Sequence, residues 1–481
     1  MSVIVADISR LLPNPRLEGR DQPRDRVPGG ILLVTVVATL VMAAFASTYV
    51  PYRVLTWSME RIEVNANRPF LYPALVFLAG AAFVAGFRWV IFFTLTFLEL
   101  RNYIKRPVPA ITHWPLVSVF VPAYNEGETI GPALESLIQL DYPRFEVIVV
   151  DDGSKDETYD RAKRYEGDHG YCTIRVYRKP NGGKWSALNF AFACSTGELC
   201  LCVDADSRLA PRSIRLMVER MADPRIDAVA GQIRVRNRVS LLTRLQGLEY
   251  VMASGALRLA QSHSGCVLVV PGPLGLYRRS AMEEVFMHWG TGGIPAEPGH
   301  VYGPLDGDTF AEDFDLSLSV LSLGGRIVYE PYAISHTKAP ESPSALLSQR
   351  YRWARGTIQV LRKYVRRSRT YRPMLQRRVM GWLAITYGAE IFVLPFAYGL
   401  GMTAVLFYLA SGGSLLSILM GACPVLLLSL NAAAFCIALH RDQISLLPAL
   451  LVYDFYHGFM LNSAWAIAVI DEFRGARMRW S

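Results

Sequence analysis

The stretch Leu199-Cys-Leu-Cys-Val-Asp-Ala-Asp-Ser207 is apolar in its first half and acidic at its end. The run Leu199–Val203 predicts a buried strand of a parallel sheet. Ligands of open α/β sheets lie beyond the carboxyl ends of the strands, which is where Asp204 and Asp206 follow. Carboxylates at this spacing can face the same way and bind one Mg²⁺ or Mn²⁺. A solvated turn is the alternative for an isolated Asp-x-Asp.

Strand-like and helical patterns alternate around this stretch, from Leu116 to about Ser342. Such alternation favours an α/β domain with a parallel or mixed sheet and crossover helices, and about 230 residues suffice for one domain. The Gly- and Pro-rich segment Gly290–Asp308 predicts a loop. The predicted strands are Leu116–Val121, Phe145–Val150, Thr173–Tyr177, Leu199–Val203 and Ala228–Arg234, and the predicted helices are Thr129–Leu140 and Trp185–Cys194.

Apolar blocks flank this region on both sides. Of the 481 residues 52% are hydrophobic, which indicates a membrane protein with a soluble part. Ile31–Val50 and Leu71–Leu98 have membrane-spanning length, and Arg88 within the second is expected to face a partner helix or a polar cavity. Further blocks lie at 379–410, 415–439 and 446–470. The first of these predicts either one long broken helix or a span followed by an interfacial piece.

The net charge is +9, and much of the excess lies near residue 360. Leu346–Arg369 combines apolar residues at helical spacing with arginines, so it is predicted to lie in the membrane interface. A basic run beside an apolar block indicates a cytoplasmic surface facing lipid headgroups, and it argues against nucleic acid as the partner. Three C-terminal spans would place the C-terminus outside, whereas Arg474, Arg477 and Arg479 favour the inside.

Four further motifs accompany the acidic strand end. Taken singly, they have ordinary explanations: a tight turn, acids at a helix N-terminus, or a tryptophan at the membrane interface. Their common occurrence, at predicted strand and helix ends, indicates one functional site instead. The motifs are Pro122-Ala-Tyr-Asn-Glu126, Asp151-Asp-Gly-Ser154, Glu312-Asp-Phe-Asp315 and Gln349-Arg-Tyr-Arg-Trp353.

With Gly183-Lys184 and Ala187-Leu188-Asn189, these motifs resemble the signature of processive family-2 glycosyltransferases, the membrane synthases of cellulose, chitin, hyaluronan and poly-N-acetylglucosamine. Gln349-x-x-Arg352-Trp353 is the most specific part, because non-processive relatives usually lack it. The resemblance implies an α/β GT-A fold with a Rossmann-like mixed sheet, a UDP-sugar donor, Mg²⁺ or Mn²⁺, and inversion at the anomeric carbon. Gly272–Arg279 looks closer to the poly-N-acetylglucosamine or chitin type, which favours UDP-N-acetylglucosamine over UDP-glucose.

The resemblance also assigns the donor site. Tyr124, Glu126 and Asp151 would bind the uridine. Lys184 would approach the nucleotide or the sugar, although a solvated loop lysine is an equal alternative.

Further roles follow for the diphosphate and the metal. Asp204 would bind the donor sugar and, with Asp206, the metal, which offsets charge on the leaving diphosphate. Arg352 would bind the diphosphate and Gln349 would add a hydrogen bond.

The acceptor side involves two residues. Asp313 would be the general base that takes the proton of the acceptor hydroxyl. Trp353 would offer a flat surface to the acceptor sugar.

The expected protein is a multi-pass enzyme of the bacterial inner membrane that extends a polysaccharide and exports it. Its partners would be a UDP-sugar, the growing polysaccharide, the lipid bilayer and other exopolysaccharide-assembly proteins. A non-processive transferase to a lipid acceptor and a catalytically silent nucleotide-sugar-binding scaffold are the alternatives. The expected division is a cytoplasmic tail at 1–30, two transmembrane helices at 31–100, a cytoplasmic GT-A domain at 115–342, an interfacial segment at 343–375, three or more transmembrane or interfacial helices at 379–470 and a basic tail at 471–481.

Overall fold

The computed structural model describes residues 71–106, 113–289, 299–370, 377–410, 428–437 and 439–476, with isolated positions between 34 and 56 and at 111 and 414. The predicted tail 1–30 lies outside the described residues. So do most of the predicted span Ile31–Val50, the first half of the block 415–439 and the last residues of the basic tail.

Nine strands of the described chain form one mixed sheet in the order β3-β4-β2-β1-β5-β8-β7-β9-β6. All five predicted strands are present, with ends shifted by at most two residues. The strands are β1 Val117–Ala123, β2 Phe145–Asp151, β3 Gly167–Asp168, β4 Cys172–Arg178, β5 Leu199–Cys202, β6 Arg208–Leu209, β7 Ala228–Val235, β8 Gly275–Arg278 and β9 Ile327–Thr337.

Strands β1, β2 and β5 are parallel, and Val117 of β1 pairs with both Phe145 and Leu199. Strand β5 is buried throughout, as its uninterrupted apolar run predicts. Its other neighbour, β8, is antiparallel. The carboxyl ends of β1, β2 and β5 therefore lie at the same edge of the sheet.

Helices cover both faces of this sheet. Further helices precede β1 and follow β9 in the chain. The two predicted helices are α2 and α4. The helices are α1 Leu71–Lys105, α2 Ile130–Ile138, α3 Thr158–Lys163, α4 Lys184–Cys194, α5 Ser213–Met221, α6 Leu241–Met252, α7 Leu259–His263, α8 Arg279–Trp289, α9 Glu312–Ser322, α10 Pro343–Thr370, α11 Arg377–Leu383, α12 Ala389–Phe392, α13 Leu394–Ala410, α14 Leu428–Ile437, α15 Leu450–Tyr456 and α16 Asn462–Phe473.

The core has two parts because successive residues of each strand point to opposite faces. On one face, Val119 packs in a cluster with Leu134 of α2 and Met217 of α5. On the other, Phe120 belongs to a cluster that extends through α4 to Phe93 of α1. The apolar helix α1 thus shares a continuous core with the sheet.

Three segments among the described residues are long and apolar enough to cross a membrane: Val76–Lys105, Arg377–Thr403 and Asp442–Phe473. The second corresponds to the block predicted at 379–410, and it is a broken helix. A π-helical turn, Ala384–Gly388, separates α11 from α12, and α13 then begins one residue before Pro395. A proline suits the first turn of a helix because its missing N–H would lack a helical partner there.

Arg88 of α1 faces a partner helix, as predicted. Its Nη2 lies 3.0 Å from Oε1 of Glu390 and donates to the carbonyl of Thr386 at 3.4 Å. A charge within an apolar segment needs such a partner, since an unpaired one is costly. The pair therefore joins the first and second of the membrane-spanning candidates.

The predicted interfacial segment Leu346–Arg369 lies within the single helix α10. One side of α10 packs on α16, where Arg355 pairs with Glu472 at 3.0 Å and the Tyr351 hydroxyl donates to Asp471 at 2.7 Å. Its contact with a bilayer stays a prediction.

Removing one member of the Arg88–Glu390 pair should cost more than removing both. Arg88→Leu and Glu390→Leu each leave a charge without its partner, for which we expect a loss of about 1–3 kcal/mol. The double variant should recover most of that loss. The measurement is the midpoint of thermal unfolding in detergent, with Arg101→Leu, an exposed position of the same helix, as the control. If the double variant loses as much stability as the two single variants together, Arg88 and Glu390 do not act as a pair.

Candidate active site

A cleft of about 270 Å³ opens at the edge of the sheet where β1, β2 and β5 end. The three strands are parallel and in register, so the segments that follow them converge here. Five of the residues predicted to bind substrate or metal line this cleft: Tyr124, Glu126, Lys184, Asp204 and Asp206.

The turn after β1 presents Tyr124 and Glu126. Asn125 between them has a φ of 55°, in the left-handed region that asparagine tolerates better than most residues. Its backbone N–H donates to the Ser154 hydroxyl at 2.9 Å, and its side-chain oxygen accepts from the N–H of Lys155 at 2.9 Å. The β1 turn is thereby fixed to the β2 turn, and the Tyr124 ring is left exposed in the cleft.

The two aspartates after β2 differ in position. Asp151 still pairs in the sheet, is fully buried and lies 3.1 Å from Nε of Arg178. Asp152, the second residue of the Asp151-Asp-Gly-Ser154 motif, had no predicted role, and it lines the cleft. It pairs with Lys179 and accepts from the backbone N–H groups of Gly182 at 3.0 Å and Gly183 at 2.8 Å.

Lys184 begins α4 directly after those glycines. Its Nζ lies 2.7 Å from Oδ1 of Asp204 and 3.1 Å from Oε1 of Glu312. Burial lowers the pKa of Lys184, but the two carboxylates outweigh it and raise that pKa well above its usual range. Gly272 faces this ammonium, and a Cβ there would lie 3.0 Å from Nζ. Lys184 is therefore a fixed cation rather than a solvated loop lysine.

The acids of the cleft repel one another. Burial first, and then the Asp204 carboxylate, raises the pKa of Asp206. Burial also raises the pKa of Glu126, to which Asp206 and Asp204 add. Asp206 accepts hydrogen bonds from the hydroxyls of Ser207 at 3.0 Å and Thr337 at 3.1 Å. A set of carboxylate oxygens with excess negative charge fits a divalent metal ion, and Asp204 and Asp206 are its nearest pair in sequence.

Asp313 lies in the first turn of α9, next to Glu312. Burial and the Glu312 carboxylate raise the pKa of Asp313 to about 6, while Lys184 opposes them. Its two oxygens accept from the N–H groups of Phe314 at 2.7 Å and Gly272 at 3.3 Å. A carboxylate with this pKa can accept a proton near neutral pH and release it again.

The Gln-x-x-Arg-Trp motif lies on α10. Trp353 is 45% exposed and stacks on Tyr250, with 6.5 Å between the ring centroids. Tyr250 belongs to α6, so α6 and α10 meet at this ring pair. Arg352 is exposed, and Gln349 accepts from Nη1 of Arg350 at 2.8 Å.

The predicted loop Gly290–Asp308 is described from Gly299 onward, and it packs on α4. The side chain of Asn189 donates to the carbonyls of Val301 at 3.0 Å and Leu305 at 2.9 Å. The ring of Trp185 lies 4.9 Å from that of His300. Asn189 of the Ala-Leu-Asn motif thus fixes this loop beside the cleft.

A second acidic cluster consists of Asp306, Asp308 and Asp315, whose carboxylates lie within 4.8 Å of one another. Nζ of Lys363 on α10 lies 2.7 Å from Asp306, 2.6 Å from Asp308 and 2.6 Å from Asp315. The ammonium of Lys363 thus pairs with all three of these acids, whereas of Asp204 and Asp206 only Asp204 pairs with Lys184 in the described chain. The cleft is therefore the better candidate for a metal site.

Comparison with known proteins shows what this chain is similar to. Residues 118–286 match the family model described as glycosyl transferase family 2. Poly-beta-1,6-N-acetyl-D-glucosamine synthase of Staphylococcus epidermidis is 30% identical over 246 residues, 51% of this chain and 55% of that protein. N-acetylglucosaminyltransferase of Rhizobium sp. (strain N33) is 36% identical over 250 residues, 51% of this chain and 53% of that protein. The chain spans about half the length of the curated relatives it matches.

Among solved structures, the mannosyltransferase PcManGT of Pyrobaculum calidifontis, in complex with GDP-Man and Mn²⁺, has a TM-score of 0.54. It is 21% identical, and the alignment covers 83% of this chain and 100% of that one. This similarity shows the GT-A-like fold.

The cleft, rather than the cluster around Lys363, should bind Mn²⁺. Loss of even an outer partner of a metal ligand typically weakens binding by roughly 10- to 100-fold. We therefore expect Asp206→Asn to weaken Mn²⁺ binding by at least about tenfold, read from the spin-resonance signal of free Mn²⁺. Asp308→Asn is the matched control and should leave the affinity unchanged. Equal losses in both variants would contradict the assignment.

Proposed function

We propose, from the match of residues 118–286 to the family model described as glycosyl transferase family 2, that the protein is an inverting, processive β-glycosyltransferase that polymerises the sugar of a UDP-sugar. UDP-N-acetylglucosamine is the preferred donor, and the polysaccharide is exported across the inner membrane of a bacterium. The observation that supports this most is the cleft, where a fixed cation, Lys184, lies between Asp204 and the acids of α9. Both relatives described above are named for N-acetylglucosamine, which supports the choice of sugar.

The uridine binds at the turns after β1 and β2. Tyr124, exposed in the cleft, offers its ring face to the base, and Glu126 lies beside it. Asp151 supports this site from within the sheet, since it is fully buried, and Asp152 is the acid that faces the cleft.

Asp204 and Asp206 would hold Mg²⁺ or Mn²⁺, and the diphosphate would lie over them. Such an ion would supply positive charge against the charge that develops on the leaving UDP. Lys184 adds a fixed positive charge at the same place, and Arg352 and Gln349 of α10 approach from the other side. The exposure of Arg352 leaves its guanidinium available for this contact.

Asp313 takes the proton of the acceptor hydroxyl. The hydroxyl oxygen forms a bond to the anomeric carbon, and the bond from that carbon to the diphosphate oxygen breaks. The electron pair of that bond leaves with UDP, and the configuration inverts. Trp353 binds the acceptor sugar on its exposed face, which keeps the hydroxyl oriented toward the donor.

The sheet domain faces the cytoplasm in this proposal, where UDP-sugars are found, and α10 lies along the inner leaflet. The three apolar segments support a membrane protein by their length and composition. Transfer of a sugar to a lipid acceptor is the alternative activity. The length of the product distinguishes it from polymerisation.

The proposed function predicts a long polymer from one sugar. Purified protein in proteoliposomes is given a panel of radiolabelled UDP-sugars with Mn²⁺ or Mg²⁺, and the product is sized by chromatography. We expect incorporation from UDP-N-acetylglucosamine, no product in EDTA, and recovery when the metal is restored. A single sugar transferred to lipid would overturn processivity, and turnover in EDTA would overturn the metal assignment.

Two variants test separate steps of this reaction, proton removal and acceptor binding. Asp313→Asn cannot accept the proton, so we expect nearly normal UDP binding and transfer reduced by about 10²- to 10⁴-fold. Trp353→Ala leaves the donor site intact, so slow hydrolysis of the UDP-sugar should survive while polymer disappears. Full-length polymer from Trp353→Ala would be inconsistent with its role.

The acidic limb of the pH profile should follow Asp313. Its pKa is raised to about 6, so the base form is lost, and kcat/KM falls, as the pH drops through about 6. Glu312 raises this pKa and Lys184 lowers it. Glu312→Gln should therefore move the limb to lower pH, and Lys184→Met should move it to higher pH. A limb that stays in place in both variants would exclude Asp313 as the titrating group.

A further inference from the structure

Arg350 occupies a variable position of the Gln349-x-x-Arg352-Trp353 motif, and nothing above gives it a role. Its side chain is only 6% exposed, although the basic segment around it was expected to face lipid headgroups. Its Cζ lies 4.2 Å from the ring centroid of Trp353 and 5.6 Å from that of Tyr250. The guanidinium thus covers one side of the aromatic pair, while Trp353 remains partly exposed.

The guanidinium is itself fixed by two acceptors. Nη2 donates to Oε2 of Glu249 on α6 at 2.9 Å, and Nη1 donates to Oε1 of Gln349 at 2.8 Å. A planar fork can make both bonds while its face lies on a ring, which a lysine ammonium cannot do. The position of the Trp353 ring therefore depends on Glu249 through Arg350.

Glu249 continues the connection to the membrane-spanning candidate Asp442–Phe473. The same oxygen, Oε2, accepts from the hydroxyl of Tyr456 at 2.8 Å. Tyr456 is 3% exposed and lies at the end of α15. One carboxylate oxygen thus joins α10, α6 and α15.

We propose that Arg350 is a positioning residue for the acceptor sugar, and that Glu249 and Tyr456 fix Arg350, and through it Trp353, to the membrane-spanning segment. This inference rests on the proposed function. Of the proposed donor-site residues, only Gln349 bonds to Arg350 in the described chain, and a lysine at position 350 can still donate to it. The connection therefore affects the acceptor and the number of successive transfers rather than UDP binding. Shorter products follow when the ring is free to turn, because the chain end then loses its orientation.

The test uses Arg350→Lys in the full chain, reconstituted in proteoliposomes. With oligosaccharides of β-linked N-acetylglucosamine as acceptors, we expect the acceptor KM to rise about 2- to 30-fold, the range of a lost cation–π contact. Products should be shorter, and the Kd for UDP should not change. Tyr456→Phe, which removes one hydroxyl, should shift product length in the same direction and decides the matter if Arg350→Lys does not fold.

Arg355→Lys is the matched control. Arg355 lies on the same helix, is 4% exposed and pairs with Glu472 at 3.0 Å, but its ring contact is Tyr351. It should leave the acceptor KM unchanged. Equal effects of both substitutions, weaker UDP binding in Arg350→Lys, or normal product length in both Arg350→Lys and Tyr456→Phe would each overturn the proposal.

A second measurement does not depend on any reaction. Hydroxyl-radical footprinting, read by mass spectrometry at Trp353, should show faster modification in Arg350→Lys than in the parent protein or Arg355→Lys. If the parent protein makes no glycan from any UDP-sugar, the proposed function fails, while the footprint still tests the contact. An unchanged footprint in Arg350→Lys would overturn the positioning role.

Discussion

The ammonium group of Lys184, between Asp204 and Glu312, is the contact on which the rest of the site depends. It joins the end of β5, the start of α4 and the start of α9, three segments that are far apart in the chain. Without this cation, the acids of β5 and α9 would repel one another in a partly buried cleft. The same charge lowers the pKa of Asp313, so a single side chain affects both the shape of the site and the proton affinity of its proposed base.

Local sequence patterns allowed the central strands to be predicted. They did not give the end of a strand where it depends on pairing with the neighbouring strand. Asp151 and Asp152 both follow an apolar run, but β2 continues through Asp151, which pairs with Arg178. Asp152 is therefore the first acid beyond the sheet. Only the pairing with β4 distinguishes its position from that of Asp151. Strand β9 was missed because it contains Pro331. That proline lies where the register with β7 shifts, between the pairs of Ala230 and Gln232, so it interrupts no regular ladder.

The basic segment Leu346–Arg369 shows that composition alone does not predict which charged side chains are exposed. Its arginines look equivalent in the sequence, but a helix exposes some and buries others. Arg350 and Arg355 face inward and are paired, whereas Arg352 and Arg362 are exposed. Lys363 neutralises acids from the loop and from α9, a contact between segments about 50 residues apart that no local motif encodes. The candidate residues were predictable from motifs; the residues that position them were not, because their partners come from distant segments.

The glycines before α4 have a consequence for how anions are recognised. A glycine-rich turn at a helix N-terminus usually offers free backbone N–H groups to a phosphate. Here the N–H groups of Gly182 and Gly183 already donate to Asp152, so this nest is closed by the chain's own carboxylate. These two N–H groups are therefore not free to bind a phosphate in the manner of a nucleotide-binding loop. Under the proposed function, selectivity for a pyrophosphate linkage would come from a bound metal ion and side-chain charges, and nucleotide affinity would then depend on ionic strength and on the supply of divalent ions.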